Sequence, residues 1–252
     1  MCSTANDNKN MVCFVCEYEH KKKHVSLKEI EKAFRRGVEL YNGKKYEEAY
    51  ELISFAAERK YLSALVLVAE LYEAGCGTEV DLRKSYESYH IAAQKNDAYA
   101  QYKVATCYYL GKGTKQSYSL AIKWLEKAIA QGYPDAFVLL ANMYLAGEGV
   151  WSDYDKAVEY YKNALNCFSL LNEKDPSKEA EILLGIGKCY HLLGKDVRAA
   201  KFFKKSSKFN CAEAQYMLAK CYRLGRGVFK NETKAREWYA KAKCNGYRKK
   251  EG

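Results

Sequence analysis

The chain contains a Gly-x-Gly triplet at four places, and the spacing of these triplets constrains its fold more than any other feature. The first three triplets begin 36 residues apart, and the fourth begins 78 residues after the third, which is two periods plus six residues. A fixed period of this size is typical of proteins built from stacked repeats. The triplets are Gly75-Cys76-Gly77, Gly111-Lys112-Gly113, Gly147-Glu148-Gly149 and Gly225-Arg226-Gly227. The spacing therefore predicts an architecture that presents a surface, and an architecture alone does not name a partner.

A ladder of small and apolar residues precedes each triplet and predicts a helix. Counting from the alanine that lies eleven residues before the first glycine, positions +4, +5 and +8 are aliphatic, alanine and tyrosine. These steps share one face of an α-helix, so we expect that face in the core. The first glycine would end the helix in left-handed backbone. The ladders are Ala64, Val68, Ala69, Tyr72; Ala100, Val104, Ala105, Tyr108; Ala136, Leu140, Ala141, Tyr144; and Ala214, Leu218, Ala219, Tyr222.

A second helix is predicted after each triplet, because apolar residues again recur at helical spacing. Two further helical pairs have a single-glycine turn, at Gly43 and at Gly194. Residues 168–176, which include Asp175-Pro176, are predicted as a loop that absorbs the six extra residues. The predicted repeats are 27–60, 61–96, 97–132, 133–167, 177–209 and 211–246, with a tail over residues 1–26 and a basic tail over 247–252.

This pattern resembles the Sel1-like repeat. The shared motif is Ala-x-x-x-Leu-Ala-x-x-Tyr-x-x-Gly-x-Gly-Val followed by Lys-Ala-x-x-(Trp/Tyr)-Tyr-x-x-Ala, and residues 136–164 and 214–242 match it best. Residues 28–58 and 178–209 resemble the related tetratricopeptide repeat. The resemblance implies an all-α fold, a right-handed α/α superhelical solenoid of about six helix-turn-helix repeats. It also implies a non-catalytic scaffold or adaptor between proteins.

The same resemblance implies that the first helix of each pair lines the concave face, where a partner would bind. With +4, +5 and +8 in the core, positions +6 and +9 should face solvent. From the N-terminal to the C-terminal repeats these positions change from acidic through neutral to basic, which favours a peptide whose acidic part lies toward the C-terminal repeats. Tyr109 and Leu145 would be apolar anchors, and an ordinary solvated face is the alternative. The predicted groove residues are Glu70, Glu73, Thr106, Tyr109, Asn142, Leu145, Lys188, His191, Lys220 and Arg223.

The net charge of +11 is concentrated in the C-terminal quarter of the chain. Residues 195–252 contain 17 Lys or Arg against 5 Asp or Glu, whereas residues 1–194 contain 25 against 26. An alternative function is therefore a basic docking module for nucleic acid or anionic lipid through residues 195–252. An acidic protein partner and a solubilising cap on the last repeat also remain open.

A cluster of four zinc-type ligands lies near the N-terminus, at Cys13, Cys16, His20 and His24. Only three residues separate the cysteine pair from the histidine pair, whereas fingers with two Cys and two His need about twelve there. We therefore predict no metal and no cofactor, and this cluster is the one metal-site candidate.

The sequence contains no Ser-x-x-Lys, Gly-x-Ser-x-Gly, His-Glu-x-x-His or phosphate-loop motif, so we expect no enzyme. Cysteine-rich penicillin-binding hydrolases share this repeat type, but they carry a signal peptide and bridged cysteines in each repeat. We expect this chain to have neither, and that function ranks third. Its ten cysteines should be reduced, since Cys107, Cys189 and Cys221 recur at one repeat position. No apolar run approaches the ~20 residues that span a bilayer. We expect a cytoplasmic protein, and non-classical export as a host-directed protein stays open.

Overall fold

The computed structural model describes residues 25–171 and 175–248, and every regular element in these ranges is an α-helix. The helices come in pairs joined by short turns, and the two helices of each pair pack together. This arrangement confirms the predicted all-α class of helix-turn-helix repeats. The six pairs in the described ranges are α1 (Leu27–Asn42) with α2 (Tyr46–Glu58), α3 (Leu62–Ala74) with α4 (Leu82–Gln94), α5 (Ala98–Leu110) with α6 (Tyr118–Ala130), α7 (Pro134–Ala146) with α8 (Tyr154–Leu170), α9 (Pro176–Leu192) with α10 (Asp196–Ser207), and α11 (Ala212–Leu224) with α12 (Glu232–Cys244).

These helices fall into two compact units, one ending at Lys95 and the other beginning at Asn96. The first unit contains α1 to α4, and the second contains α5 to α12. Within each unit, the second helix of one pair packs on the first helix of the next pair. In the second unit the core is a row of such contacts, with Tyr161 and Phe203 among its largest fully buried side chains.

The predicted core ladder is confirmed at positions +4 and +5 and shifted at position +8. The tyrosines at +8 in the four triplet-bearing pairs are half-buried rather than buried. At +7, Leu71, Met143 and Cys221 are more completely buried. The reason is geometric, since positions 0, +4 and +7 form the central line of a helix face and +8 lies at its margin. Residues buried as predicted are Val68, Ala69, Val104, Ala105, Leu140, Ala141, Leu218 and Ala219.

The glycine triplets each end one helix, and the second glycine of three of them (Gly77, Gly149 and Gly227) packs against the preceding pair. Gly225 has a φ of 71° and donates its N–H to the Cys221 carbonyl, which terminates α11. Gly227 approaches the preceding pair, because a Cβ there would lie 2.1 Å from the Asp196 carbonyl oxygen. The Asn231 side chain then accepts a hydrogen bond from the Lys234 N–H and begins α12. The second glycine therefore has a packing role that the sequence analysis did not anticipate.

The segment predicted as a loop over 168–176 is helical at both ends. Helix α8 continues through Leu170, since Phe168 is only 7% exposed and packs in the core. Helix α9 begins at Pro176, where Asp175 accepts hydrogen bonds from the Ser177 and Lys178 N–H groups. Both helices have 17 residues rather than the usual 13, so extra residues lengthen helices. Residues 172–174 lie outside the described ranges.

Little of the two predicted tails falls within the described residues. Ser26 and Glu29 form a reciprocal capping box at the start of α1. The metal-site candidate of Cys13, Cys16, His20 and His24 lies entirely outside the described residues, as do residues 249–252. None of the helices in the described part of the chain is both long and apolar enough to cross a membrane.

Candidate protein-binding surface

The predicted groove residues of the first unit are Glu70 and Glu73, both on α3 and both half-exposed. The other eight lie in the second unit, and we call them the groove stripe: Thr106, Tyr109, Asn142, Leu145, Lys188, His191, Lys220 and Arg223. The charge gradient expected from Glu70 to Arg223 stays a prediction. The groove stripe can be described residue by residue.

The two α5 members of the groove stripe are already hydrogen-bonded. The Thr106 hydroxyl donates to the Tyr102 carbonyl oxygen at 3.0 Å. The Tyr109 hydroxyl donates to a Glu148 carboxylate oxygen at 2.5 Å, and its ring lies 5.7 Å from the Tyr118 ring. The hydrogen bond to Glu148 and partial burial raise the pKa of Tyr109 to about 12. Tyr109 is thus held by the turn of the next pair, with only part of its ring open to a partner.

The two groove-stripe residues on α7 contact buried side chains of the core, one through a hydrogen bond and the other through apolar packing. The Asn142 side-chain oxygen accepts a hydrogen bond from the hydroxyl of Tyr161, which is only 1% exposed. Asn142 therefore satisfies a buried donor that would otherwise be costly. Leu145 is half-buried and packs against the core cluster of the second unit. Its remaining exposed surface is apolar, as the anchor prediction requires.

The two α9 members are basic but already have acidic neighbours. Lys188 forms an ion pair with Glu213 at 2.7 Å. His191 Nδ1 lies 3.2 Å from an Asp196 carboxylate oxygen. Lys188 therefore has a compensating negative charge within the protein, and the imidazole of His191 has an acidic neighbour.

The two α11 members provide the uncompensated positive charge of the groove stripe. Neither Lys220 nor Arg223 makes an ion pair within the described ranges. Lys220 Nζ lies 6.0 Å from the centre of the Tyr216 ring, and the Arg223 guanidinium lies 5.8 Å from that of Tyr239. Both groove-stripe cations that make no ion pair within the described ranges therefore lie on α11.

An aromatic cluster surrounds these two cations, and the sequence analysis missed it. The Tyr216 ring stacks on Tyr247 at 4.2 Å and lies 5.4 Å from the Tyr239 ring. Burial raises the pKa of both Tyr239 and Tyr247. Tyr216 could have been found, since it precedes Lys220 and Arg223 by four and seven residues and so shares their helix face. No sequence signal placed Tyr247 there, because it follows the last helix.

A second polar cluster that the sequence analysis missed lies on α5, α7 and α9. Lys178 forms an ion pair with Asp135 at 2.9 Å. The Tyr102 ring lies 5.2 Å from the Tyr133 ring, and burial and the nearby Asp135 carboxylate raise the pKa of Tyr102. Because Tyr102 and Thr106 lie one helical turn apart, this cluster extends the groove stripe along α5.

The remaining chemistry candidates lie away from the groove stripe. Burial raises the pKa of the Cys189 thiol to about 12 and that of Cys221 to about 11, so both thiols are protonated and unreactive at neutral pH. Among the cysteines that the structure describes, Cys76, Cys167, Cys189, Cys211, Cys221 and Cys244 form no disulfide. No group of His, Cys, Asp or Glu able to hold a metal ion occurs among residues 25–171 and 175–248. The lysines of the basic C-terminal quarter that recur on α10 are all exposed: Lys201, Lys204, Lys205 and, just after the helix, Lys208.

A family model described as Sel1 repeat matches four segments of the chain, which together make up more than half of it: residues 62–97, 98–133, 134–167 and 212–247. Helices α1, α2, α9 and α10 lie entirely outside these matches. These are the two pairs with single-glycine turns. No curated protein matches the chain.

Solved structures share the fold. The crystal structure of a Sel1 repeat protein from Oxalobacter formigenes is 27% identical, with a TM-score of 0.71, covering 85% of this chain and 83% of its own. A signal-transduction ATPase with a tetratricopeptide repeat sensor from Pyrococcus horikoshii is 16% identical, with a TM-score of 0.56, covering 84% of this chain and 34% of its own. The MamA protein is 19% identical, with a TM-score of 0.51, covering 74% of this chain and 94% of its own. The last two likenesses show the fold alone.

Proposed function

Because the chain belongs to the Sel1 repeat family, we propose that it is a non-catalytic scaffold that binds another protein along the first helices of its second unit. Repeat folds of this kind are typically protein-interaction scaffolds, because stacked helical pairs present an extended surface. The groove stripe supports this proposal, since its members are partly exposed and mix apolar, aromatic and charged side chains. A cytoplasmic location is part of the proposal, and cell fractionation tests it.

The single observation that carries the proposal is the contrast between α9 and α11. Lys188 is compensated by Glu213, whereas Lys220 and Arg223 have aromatic neighbours and no ion pair within the described residues. An acidic side chain of a partner would therefore gain the most binding free energy by contacting α11. The rings of Tyr216 and Tyr239 beside the two cations offer rigid apolar contact area, which is typical of binding hot spots.

The test is to capture partners with the full chain and to measure the affinity of each purified partner for charge variants. We expect Lys220→Glu with Arg223→Glu to weaken binding at least tenfold, because both charges are reversed next to the acidic part of the partner. The matched control is Lys201→Glu with Lys204→Glu, which changes the net charge equally on an exposed part of α10. This control should change affinity by no more than about threefold.

Two outcomes would overturn the proposed surface. If the α11 and α10 variants weaken binding equally, the effect is one of net charge and not of the groove stripe. If neither variant nor Leu145→Asp changes the affinity of any partner, the partner binds elsewhere.

A second candidate function, a basic docking module for nucleic acid through residues 195–252, rests on the exposed lysines of α10. The dependence of affinity on salt concentration distinguishes the two candidate functions. A phosphate polymer releases about one counterion for each neutralised phosphate, so its affinity falls steeply and linearly on a logarithmic salt scale. A protein partner held by two charges and a tyrosine cluster should show a slope of about two or less. Titration of single-stranded and double-stranded oligonucleotides with the full chain measures the slope directly.

A further inference from the structure

Two aromatic side chains of the second unit are almost completely exposed. Trp151 is 95% exposed and Phe229 is 98% exposed, more than any other large apolar residue in the described ranges. They occupy the same repeat position, four residues after the first glycine of their triplets. Large apolar groups that the described residues leave uncovered commonly mark a contact site where they form part of a wider exposed patch.

The turns that carry these side chains follow one another along one edge of the second unit. The turn between α9 and α10 reaches the start of α8 through an ion pair of Lys195 with Asp155 at 3.2 Å. The turn between α11 and α12 touches the start of α10, where Gly227 meets Asp196. Gly149 likewise brings the turn between α7 and α8 against Tyr118 at the start of α6. We call this row of turns, residues 111–118, 147–153, 192–198 and 224–231, the turn edge.

The turn edge combines apolar and positively charged exposed side chains. Besides the two aromatic residues, Val197 is 73% exposed, and Leu192 and Leu224 are about half exposed. Four exposed cations of the turn edge make no ion pair within the described ranges: Lys112, Lys115, Arg198 and Arg226.

The acidic groups on the turn edge and next to it have partners inside the protein. Glu148 accepts the Tyr109 hydrogen bond, and Asp153 caps α8. Asp155 pairs with Lys195, and Asp196 faces His191. Glu232 lies 3.9 Å from Lys230. A hydrogen bond from a neutral hydroxyl leaves the negative charge of Glu148 in place, but the turn edge contains six Lys or Arg against three Asp or Glu. Its net charge is therefore positive and complementary to a negatively charged surface.

We propose that the turn edge of the second unit docks on the surface of an anionic lipid bilayer, with Trp151 and Phe229 inserted at the level of the headgroups. Aromatic side chains favour the membrane–water interface, and lysine and arginine are attracted to anionic headgroups. The two rings belong to separate turns and are almost wholly exposed, which suits insertion into a fluid surface. Two apolar anchors plus a set of cations provide the two signals that stable peripheral attachment needs. This proposal is independent of the protein-binding groove stripe.

The test is co-sedimentation of the full chain with vesicles of phosphatidylcholine alone and of phosphatidylcholine containing about 30% phosphatidylserine. We expect binding to the anionic vesicles, weakened by added salt, and at least tenfold weaker binding to the neutral ones. Trp151→Ala with Phe229→Ala should lower the partition coefficient on anionic vesicles at least tenfold. Both side chains are almost fully exposed, so the variant should remain folded, as far-ultraviolet circular dichroism would show.

The matched control is Leu170→Ala, which removes an apolar side chain that is 83% exposed at the other end of α8 from Trp151. A helix of 17 residues is about 25 Å long, so Leu170 lies far from the turn edge. This control should bind vesicles as the unchanged chain does. Tryptophan emission gives a second readout: it should shift to the blue with anionic vesicles, and Trp151→Phe should lose that shift while it keeps the binding.

The proposal is overturned if the full chain fails to sediment with anionic vesicles. It is also overturned if the double aromatic variant sediments undiminished, or if Leu170→Ala loses as much binding as the double variant. The double aromatic variant changes no charge and lies outside the groove stripe, so it should leave the affinity for a protein partner unchanged. Failure of the lipid proposal and failure of the groove stripe are therefore distinguishable.

Discussion

The α9–α10 and α11–α12 pairs are neighbours in the second unit, yet they achieve close packing in different ways. Helix α11 has 13 residues, ends at a left-handed glycine and leads through a Gly-x-Gly turn to a capped α12. Helix α9 has 17 residues and a short turn, and Lys195 at the start of α10 provides no side-chain cap. The α9–α10 pair lies entirely outside the family match, and the α11–α12 pair lies inside it.

The difference lies in where each pair places its glycines. In α11–α12, Gly227 lies in the turn and meets the Asp196 carbonyl oxygen of the preceding pair. In α9, Gly185 and Gly187 lie inside the helix, where a Cβ would stand 2.4 Å from the Tyr161 ring and 2.6 Å from the Phe203 ring. Glycine in a helix interior is usually unfavourable. Here the two glycines make room for the rings of Tyr161 and Phe203. The α9–α10 pair therefore packs most closely in the core, whereas the α11–α12 pair packs most closely at its turn.

The largest expected effect follows from this use of aromatic side chains. Phe203 on α10 is 0% exposed, so Phe203→Ala should destabilise the protein by about 3–5 kcal/mol. Tyr239 occupies the corresponding place on α12, four residues after its alanine, and is half-buried. Tyr239→Ala should therefore cost less, roughly 1–2 kcal/mol. Urea unfolding of the full chain, followed by circular dichroism, measures both.

Equal losses of stability for Phe203→Ala and Tyr239→Ala would contradict this difference between the two pairs. They would show that α10 is held no more tightly by its aromatic core than α12 is. A larger cost for Tyr239→Ala would mean that the tyrosine cluster at the last pair, and not the α9–α10 core, limits the stability of the second unit.

The regular pairs were largely predictable from the sequence, because one local pattern determines them. The ladder from Ala214 to Gly225 specifies a buried face and a helix end, and both are observed. The place of Tyr222 at the margin of the core was missed, since periodicity assigns a face but not its exact centre. The contact of Gly227 with Asp196 was not predictable from local periodicity, because it joins residues 31 positions apart.

The irregular pair and the groove stripe were less predictable for the same reason. The sequence analysis assigned no role to Gly185 or Gly187, because their packing role depends on Tyr161 and Phe203 from two other helices. Likewise, Lys188 was expected to contribute to a basic gradient, but its charge is compensated by Glu213 from the next pair. Local periodicity predicts which residues reach a surface, whereas the effective charge of that surface depends on contacts between pairs.

Gly187→Ala tests the packing role of the helix-interior glycine, with a smaller expected effect. Alanine favours a helix over glycine by up to about 1 kcal/mol. The added methyl group would overlap the Phe203 ring, however, and overpacking typically costs about 1–3 kcal/mol. We expect net destabilisation of roughly 1–2 kcal/mol in urea unfolding. In a Phe203→Ala background the same change should become neutral or stabilising, because the methyl group then enters the cavity. Destabilisation of equal size in both backgrounds would contradict the steric explanation.

The helix caps provide the next comparison. Asn231 accepts a hydrogen bond from the Lys234 N–H at 2.8 Å, so Asn231→Ala should destabilise by about 1 kcal/mol. Lys195 occupies the same place before α10 and makes no such bond. Lys195→Ala removes only the surface ion pair with Asp155 and should cost no more than about 0.5 kcal/mol. Thermal unfolding of both variants distinguishes them, and the comparison fails if Lys195→Ala is the more harmful.

The smallest expected effect concerns the ion pair that joins the two pairs across the groove stripe. Lys188 and Glu213 are 2.7 Å apart, and their side chains are 35% and 44% exposed. Solvent screens a pair this accessible, so a double-mutant cycle with Lys188→Ala and Glu213→Ala should give a coupling energy of about 0.2–1 kcal/mol. In ~1 M salt, where the screening length is about 3 Å, the coupling should fall toward zero. A coupling energy that stays above about 2 kcal/mol at high salt would mean that the pair is effectively buried. Lys188→Ala also leaves Glu213 uncompensated in the first turn of α11. If an acidic partner binds at α11 as proposed, it should bind this variant more weakly even though the protein is almost as stable.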